Sequence, residues 1–347
     1  MNAADDNPHA VVVIGGSAGG VEALRQVIAD LPADLPAPLF VTLHIPATVD
    51  SRLPEILARA GQLGAQHPLD GGVIRAGMIY VAPPDHHLHV ERGHVRIVRG
   101  PRENGQRPSL DPMFRSAAHA YGRGVIGVVV SGTLDDGTAG LLAVKRHRGL
   151  AIVQDPATAL FSGMPGHALE HVDVDHIVPV EEIGALIAHL ATSRTTGART
   201  PMTDHDPAPP QRPGASGSDL HDDAALGSPS GFSCPDCNGV LWEIEDGRLL
   251  RFRCRIGHGY SVNSLLAAQS SHIEATLSTT LRSLEESAGL SRRLAARARE
   301  QGHELVAVRF EGREAEARRR IRGIRAELAA GGITDTTATA VTTARSE

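Results

Sequence analysis

The sequence is poor in cysteine. Only three of its 347 residues are cysteines, and all three lie between positions 234 and 254. So few thiols exclude a disulfide framework, and their clustering indicates a local metal site in a reducing compartment. We therefore expect a cytoplasmic protein.

Long apolar runs and a strong charge of one sign are also lacking. No apolar stretch approaches the roughly 18–20 residues that span a membrane, and the polar first ten residues do not resemble a signal segment. The net charge is -6, from 34 basic and 40 acidic side chains. The chain has no global basic character that would favour nucleic acid. We expect neither membrane insertion nor a nucleic-acid partner.

The first half of the chain, residues 10–192, has the pattern of an α/β domain. Short apolar, β-branched runs are separated by helical patterns. Such runs, followed by helices, predict a doubly wound, mostly parallel sheet of the Rossmann-like kind, covered on both faces. The apolar runs are 11–14, 39–43, 125–130 and 151–154, and two helical patterns are 21–31 and 139–147.

The second half divides by composition into four segments. Residues 193–230 are rich in Ser, Thr, Pro, Gly and Asp and predict a disordered linker. Residues 231–262 form a small unit with paired cysteines, and residues 263–330 have helical spacing of apolar positions. The Thr-rich residues 331–347 predict a disordered tail.

Ser17 lies in a glycine-rich turn between the first apolar run and the first helical pattern. Residues 15–20 read Gly-Gly-Ser-Ala-Gly-Gly. Glycines permit a sharp turn and close approach, so this serine could be a nucleophile, or the loop could cradle a phosphate or only pack a helix on a strand. A dinucleotide loop is disfavoured because the glycines lack the G-x-G-x-x-G spacing and the second strand ends in His44.

Two further polar groups follow apolar runs. His44 follows the second run, and Asp135 and Asp136 follow the run that ends at residue 130. Ligands of open parallel sheets gather at the carboxyl ends of strands, so these groups and Ser17 are candidates for a Ser–His–Asp triad. The order Ser–His–Asp differs from the Ser–Asp–His of α/β-hydrolases, which disfavours that fold.

Over residues 10–192 the chain resembles the bacterial chemotaxis protein-glutamate methylesterases. The resemblance implies a doubly wound α/β hydrolase that removes methyl esters from glutamates of chemoreceptors and deamidates some receptor glutamines. It implies no cofactor for catalysis, and a methylated chemoreceptor cytoplasmic domain or a similar signalling protein as partner. The matching segments are 14–20, 44–46, 80–83, 108–111, 131–137, 154–156 and 163–165.

Carried over position by position, the resemblance makes Ser17 the nucleophile, His44 the base and Asp136 the group that orients His44. Asp135 is the less favoured aspartate. The tetrahedral intermediate of acyl transfer needs an oxyanion hole, for which the backbone N–H groups at Ala18 and Thr133 are candidates.

The chain departs from the family pattern in two places. The well-studied form has Gly-Met-Gly before the aspartates, where this chain has Gly132, Thr133 and Leu134. Family members also carry an N-terminal receiver domain, whereas the catalytic pattern here begins by residue 10. We therefore expect no phospho-regulation by that route in this chain.

The small unit at 231–262 contains four metal-ligand residues in paired spacing. Cys234 and Cys237 form a C-x-x-C pair, and Cys254 and His258 follow a predicted hairpin. Four ligands of this kind are typical of a closed, structural zinc site, here in a zinc-ribbon-like module. A unit of about 30 residues needs such a metal because it cannot bury a sufficient core.

Two other functions remain open from the sequence. The α/β domain could be a non-catalytic signalling scaffold. Alternatively, the zinc module and the arginine-rich helices could form a nucleic-acid-binding adaptor, since 11 arginines and 5 glutamates lie between residues 291 and 325. We favour the esterase because the three triad candidates occur together.

Overall fold

A computed structural model describes residues 8–197 and 227–329. Those residues divide into two compact units, one ending at Leu265 and the other beginning at Leu266. The tail predicted at 331–347 and most of the linker predicted at 193–230 lie outside the described residues.

The predicted linker overlaps ordered structure at both ends. A helix continues to Gly197, five residues past the predicted domain end at 192, and a strand begins at Ser228. The hydroxyls of Thr192 and Ser193 donate to carbonyls one turn earlier, 2.9 Å away in both cases. These bonds satisfy the two hydroxyls within the last turns of the helix.

Strands and helices alternate through most of the first half, and a second group of strands precedes two long helices. The strands are β1 (Val11–Gly16), β2 (Leu39–Leu43), β3 (Gly64–Gln66), β4 (Met78–Val81), β5 (His87–Glu91), β6 (His94–Val98), β7 (Val125–Val129), β8 (Leu150–Gln154), β9 (His176–Val178), β10 (Ser228–Ser233), β11 (Val240–Asp246), β12 (Leu249–Cys254) and β13 (Gly259–Ser261). The α-helices are α1 (Gly20–Ala29), α2 (Leu53–Ala60), α3 (Leu110–Tyr121), α4 (Thr138–Arg146), α5 (Gly163–His171), α6 (Val180–Gly197), α7 (Val262–Glu300) and α8 (Glu304–Ala329).

Seven strands form one parallel sheet in the order β3-β4-β2-β1-β7-β8-β9. The predicted doubly wound α/β fold is therefore confirmed. The chain winds outward from β1 through β2 and later returns to β7 on the other side of β1. The carboxyl ends of β2, β1 and β7 thus meet where the winding reverses, which is where such sheets bind ligands.

Both faces of this sheet are covered, which explains the nearly continuous apolar character of its strands. Val12 and Ile14 of β1 pack in the cluster that contains residues of α1, α2 and α6. Val11 and Val13 pack in the opposite cluster with α3, α4 and α5. Because neighbouring strand residues point to opposite faces, every position of β1 is buried.

The first unit also contains a second, antiparallel sheet of four strands in the order β10-β11-β12-β13. The turn predicted between its central strands is present, with Gly247 at a φ of 70° joining β11 and β12. We refer to residues 228–265 as the C-terminal module.

The second unit contains α7 from Leu266 onward and all of α8. Gly302, at a φ of 77°, joins them, whereas α8 continues through Gly312. Ala288, Ala317 and Ile321 form its small core. In the part of the chain that the structure describes, no helix is long and apolar enough to cross a membrane.

The contact between α1 and α6 depends on the absence of a side chain at Gly184. A Cβ there would lie 2.5 Å from the carbonyl oxygen of Val27. We expect Gly184→Ala to lower the free energy of unfolding by about 1–3 kcal/mol, since backbone must move to accommodate the methyl group.

The matched control is Gly166→Ala in α5, where nothing lies within 4 Å of the added Cβ. Alanine is the better helix former by about 1 kcal/mol, so this variant should be neutral or more stable. Urea unfolding of both variants measures the difference, and equal stabilities would contradict the packing argument.

Candidate active site

Ser17 directly follows β1 in a strand-to-helix turn. Its backbone N–H donates to the Ser131 carbonyl oxygen at 3.0 Å, and its own carbonyl accepts from Gly20 at 2.9 Å. Gly19 precedes α1 in a left-handed conformation, with a φ of 71°. A Cβ at Gly132 would lie 3.1 Å from the Ser17 Cβ, so glycine permits the two loops to approach closely.

The three side chains that the resemblance selects are in contact. His44 Nδ1 lies 3.0 Å from Ser17 Oγ, and His44 Nε2 lies 2.7 Å from Asp136 Oδ2. His44 follows β2, and its side chain is 13% exposed, whereas that of Asp136 is 2% exposed. A proton on Nε2 can be held by the carboxylate, which leaves the Nδ1 lone pair to accept the Ser17 hydroxyl proton.

Asp136 is buried but rich in hydrogen-bond donors. Besides His44, it accepts from the Asn104 amide, the Ser109 hydroxyl and the Leu110 backbone N–H, each at 2.8 Å. Burial alone would raise the pKa of Asp136, but the hydrogen bonds and the nearby His44 hold that pKa below its usual value. The carboxylate is thus kept ionised without exposure to water.

Asp111 is a second buried carboxylate in this network. Its Oδ1 accepts the backbone N–H groups of Gly137 at 3.1 Å and Gly140 at 2.7 Å. Burial, together with the negative charge of Asp136, raises the pKa of Asp111. The sequence motif at 108–111 therefore supports the loop and helix start that carry Asp136.

The two candidate oxyanion donors lie on the loops that flank Ser17. Among the described residues, the backbone N–H groups of Ala18 and Thr133 have no hydrogen-bond partner. Leu134 has a φ of 58°, a left-handed conformation that is costly for a side chain with a Cβ. Where this chain departs from the Gly-Met-Gly pattern, the leucine keeps a backbone shape that suits glycine.

Three exposed apolar side chains lie near the turn that carries Ser17, and we refer to them as the apolar rim. The side chains of Leu134, Leu160 and Phe161 are 39%, 71% and 42% exposed. Leu160 lies beside Gly19, since a Cβ added at Gly19 would lie 3.0 Å from the Leu160 Cβ. The rim offers an apolar contact surface next to Ser17.

Asp135, the alternative aspartate, faces the C-terminal module. Its Oδ1 accepts the Ser261 hydroxyl at 2.6 Å. Burial raises the pKa of Asp135, and the Ser261 hydrogen bond opposes that rise. The structure thus separates the two neighbouring carboxylates, with Asp136 on His44 and Asp135 on the module.

The predicted metal-ligand residues also come together. Their four ligand atoms all lie within 4.8 Å of one another. The Cys237 and Cys254 sulfurs are 3.7 Å apart, and His258 Nδ1 lies 3.6 Å from the Cys234 sulfur and 3.4 Å from that of Cys254. All three cysteines are free thiols.

Sequence reasoning missed the residue that connects the module to the triad. Asn104 is buried, with a φ of 53°. Its amide donates to Asp136 and to Asp111, while its side-chain oxygen accepts from Ser261 and Ser264. An Asn-Gly pair in a loop indicates only a turn, so nothing local marks this residue as part of the site.

Comparison with known proteins finds the family that the sequence resembles. Residues 12–187 match the family model described as CheB methylesterase. The chain is 36% identical over 183 residues to a putative protein-glutamate methylesterase/protein-glutamine glutaminase from Leptospira interrogans, covering 52% of this chain and 95% of that relative.

A second relative, protein-glutamate methylesterase/protein-glutamine glutaminase 2 of Pseudomonas aeruginosa, is 36% identical over 193 residues. The match covers 54% of this chain and 55% of that relative, so this chain spans about half of its length. The crystal structure of the Thermotoga maritima CheB methylesterase catalytic domain is 31% identical, with a TM-score of 0.51, and the match covers 52% of this chain and 98% of that domain. The family model matches just over half of this chain, and the crystal structure shares its fold. This chain therefore belongs to the CheB methylesterase family.

Proposed function

We propose that the chain is a protein-glutamate methylesterase that acts on methylated glutamates of a chemoreceptor-type cytoplasmic domain. The observation that carries the proposal is the continuous contact from Ser17 Oγ through His44 to Asp136. The names of the relatives supply the substrate class. The free thiols of the module suit a cytoplasmic location.

In the first half of the reaction, Ser17 Oγ attacks the carbonyl carbon of the methyl ester. His44 accepts the hydroxyl proton at Nδ1, and Asp136 stabilises the imidazolium that forms. The tetrahedral intermediate collapses as the C–O bond to the methoxy group breaks. His44 then gives its proton to the leaving oxygen, and methanol is released from an acyl-serine.

In the second half, His44 takes a proton from water, and the hydroxide attacks the acyl-serine. Collapse of this second intermediate returns the proton to Ser17 and frees the glutamate carboxylate. A glutamine side chain reacts by the same route with ammonia as the leaving group, which matches the glutaminase activity in the relatives' names.

The proposed oxyanion hole uses the N–H groups of Ala18 and Thr133. Both flank Ser17 and are uncommitted among the described residues. Donors held in place by a folded loop stabilise a developing oxyanion without reorganisation. The apolar rim of Leu134, Leu160 and Phe161 suits a substrate presented on a protein surface.

Replacing the nucleophile tests the proposal directly. We expect Ser17→Ala to lower the rate of methanol release from methylated receptor membranes by about 10⁶-fold, because the variant lacks the hydroxyl that forms the acyl intermediate. Methanol is measured by gas chromatography after addition of purified protein. A non-catalytic scaffold predicts no difference between the variant and the wild type.

Replacing the orienting carboxylate tests the role of Asp136. We expect Asp136→Asn to lower kcat by about 10⁴-fold, because an amide can present its N–H₂ group to His44 and favour the wrong tautomer. Hydrolysis of a small activated ester measures kcat.

The neighbouring carboxylate provides the matched control. Asp135→Asn retains an oxygen that can accept the Ser261 hydroxyl, and Asp135 makes no contact with His44 among the described hydrogen bonds. Its loss of kcat should be far smaller. Equal losses for the two variants would show that the triad assignment is wrong.

A further inference from the structure

The four ligand atoms of the C-terminal module have the spacing of a tetrahedral metal site. Zinc binds sulfur at about 2.3 Å and imidazole nitrogen at about 2.0–2.1 Å, so tetrahedral geometry separates two sulfurs by about 3.8 Å and a sulfur from a nitrogen by about 3.6 Å. The observed separations are 3.7 Å for Cys237 to Cys254, and 3.6 and 3.4 Å for the sulfurs of Cys234 and Cys254 to His258. Three thiols and one imidazole favour zinc among the common cations.

The module needs such a metal. Its buried apolar side chains are few, and Phe232, Val240, Leu250 and Ile256 are 47%, 49%, 39% and 56% exposed. A unit of this size with so small a core usually depends on a metal or on disulfides, and its cysteines are free.

His258, the last of the four ligand residues along the chain, is followed directly by a strand that contacts the catalytic domain. This strand is β13, and its first residue, Gly259, exchanges backbone hydrogen bonds with the loop before α3. Gly259 accepts from the Asn104 N–H at 2.7 Å and donates to the Arg102 carbonyl at 3.2 Å. At the other end of β13, the Ser261 N–H donates to the Asn104 side-chain oxygen at 3.0 Å.

Asn104 has all of its side-chain hydrogen-bonding groups committed. Its two N–H groups are 2.8 Å from Asp136 Oδ1 and 3.1 Å from Asp111 Oδ2, and its oxygen accepts from Ser261 and from Ser264 at 3.1 Å. The module supplies both donors to the amide oxygen, and the two carboxylates accept from the N–H₂ group. Without the module donors, the buried amide oxygen would lose its partners among the described residues, which weakens the hold on this orientation.

A partly buried ion-pair cluster centred on Glu103 anchors the same segment. The Glu103 carboxylate lies 2.6 Å from Arg115 on α3 and 3.4 Å from Arg251 on β12. Burial opposes ionisation of Glu103, but the two arginines hold its pKa well below the usual value. The charge of Glu103 is thus shared between the catalytic domain and the module.

We propose that Cys234, Cys237, Cys254 and His258 bind one zinc ion, and that this ion keeps residues 259–264 against Asn104 and so keeps Asn104 on Asp136. The ion is structural, because its four protein ligands complete a tetrahedron and leave no open position. Asn104 is a positioning residue, and the module forms part of the support of the triad. The second half of the proposal rests on the proposed function of Ser17, His44 and Asp136.

Both halves of the proposal are tested on the intact 347-residue chain. Zinc content is measured by mass spectrometry of the metal, and cobalt(II) substitution is followed by the absorption bands of tetrahedral thiolate-bound cobalt. Acylation of Ser17 is measured with an activated nitrophenyl ester probe, whose released nitrophenol reports formation of the acyl-serine, and the maximal rate and the half-saturating concentration are determined separately. The probe requires no receptor, so failure of the receptor assay alone would overturn the substrate and leave this proposal standing.

We expect one zinc per wild-type chain. Cys237→Ser should lose the zinc and lower the maximal acylation rate by about tenfold or more, because a hydrogen bond to a buried charge is lost. The half-saturating concentration should not change, since the probe binds at Ser17. Cys237→His should restore zinc and rate together, and Ser233→Ala, at the exposed position before Cys234, should change neither.

Asn104→Ala removes the hydrogen bond to Asp136 and leaves all four metal-ligand residues in place. This variant should keep its zinc and still lower the maximal rate about as much as Cys237→Ser does. The double variant should be no slower than either single variant, because both changes break one chain of contacts. If Cys237→Ser fails to fold, Cys237→His and Asn104→Ala still decide the matter.

Three results would overturn the proposal. A wild-type chain that takes up neither zinc nor cobalt would remove the metal site. An unchanged acylation rate in Asn104→Ala, or after zinc loss in a folded variant, would remove the link to the triad. Absence of any Ser17 acylation would overturn the proposed function and with it this link, while the metal content would still decide the first half.

Discussion

A buried negative charge at Asp136 is the constraint on which the rest of the site depends. Removing a carboxylate from water costs several kcal/mol unless donors replace the lost solvation. Three segments of the chain supply those donors: the loop at 104–111, the start of α4 and His44 at the end of β2. Those segments must therefore reach their native positions together, and their convergence brings His44 to Ser17.

The parallel sheet makes that convergence geometrically simple. β2, β1 and β7 are neighbours, so the groups that follow them begin within one or two strand spacings of each other. Small residues then allow the loops to close on one another, as at Gly132, where a Cβ would meet both Met164 and Ser17. Leu134 has a left-handed backbone in the same loop, a conformation that is costly for a residue with a Cβ.

The C-terminal module makes hydrogen bonds to a domain that belongs to a known family. The family match ends at residue 187, while the module begins at 228. Yet Asn104, inside the matched region, has Ser261 and Ser264 of the module as partners. Contacts to the carboxylate network around Asp136 thus come from outside the part of the chain that the family model matches.

The sequence alone determined the α/β class, the central strands and the positions of Ser17, His44 and Asp136 at strand ends. Apolar runs and glycine-rich turns are local signals, and a parallel sheet places all strand carboxyl ends on one edge. Only the tertiary structure decided that Asp136 contacts His44 while Asp135 contacts Ser261, because two adjacent aspartates have the same local pattern. It alone also revealed Asn104, whose partners lie up to 160 residues away along the chain, since contacts between distant segments leave no periodicity to read.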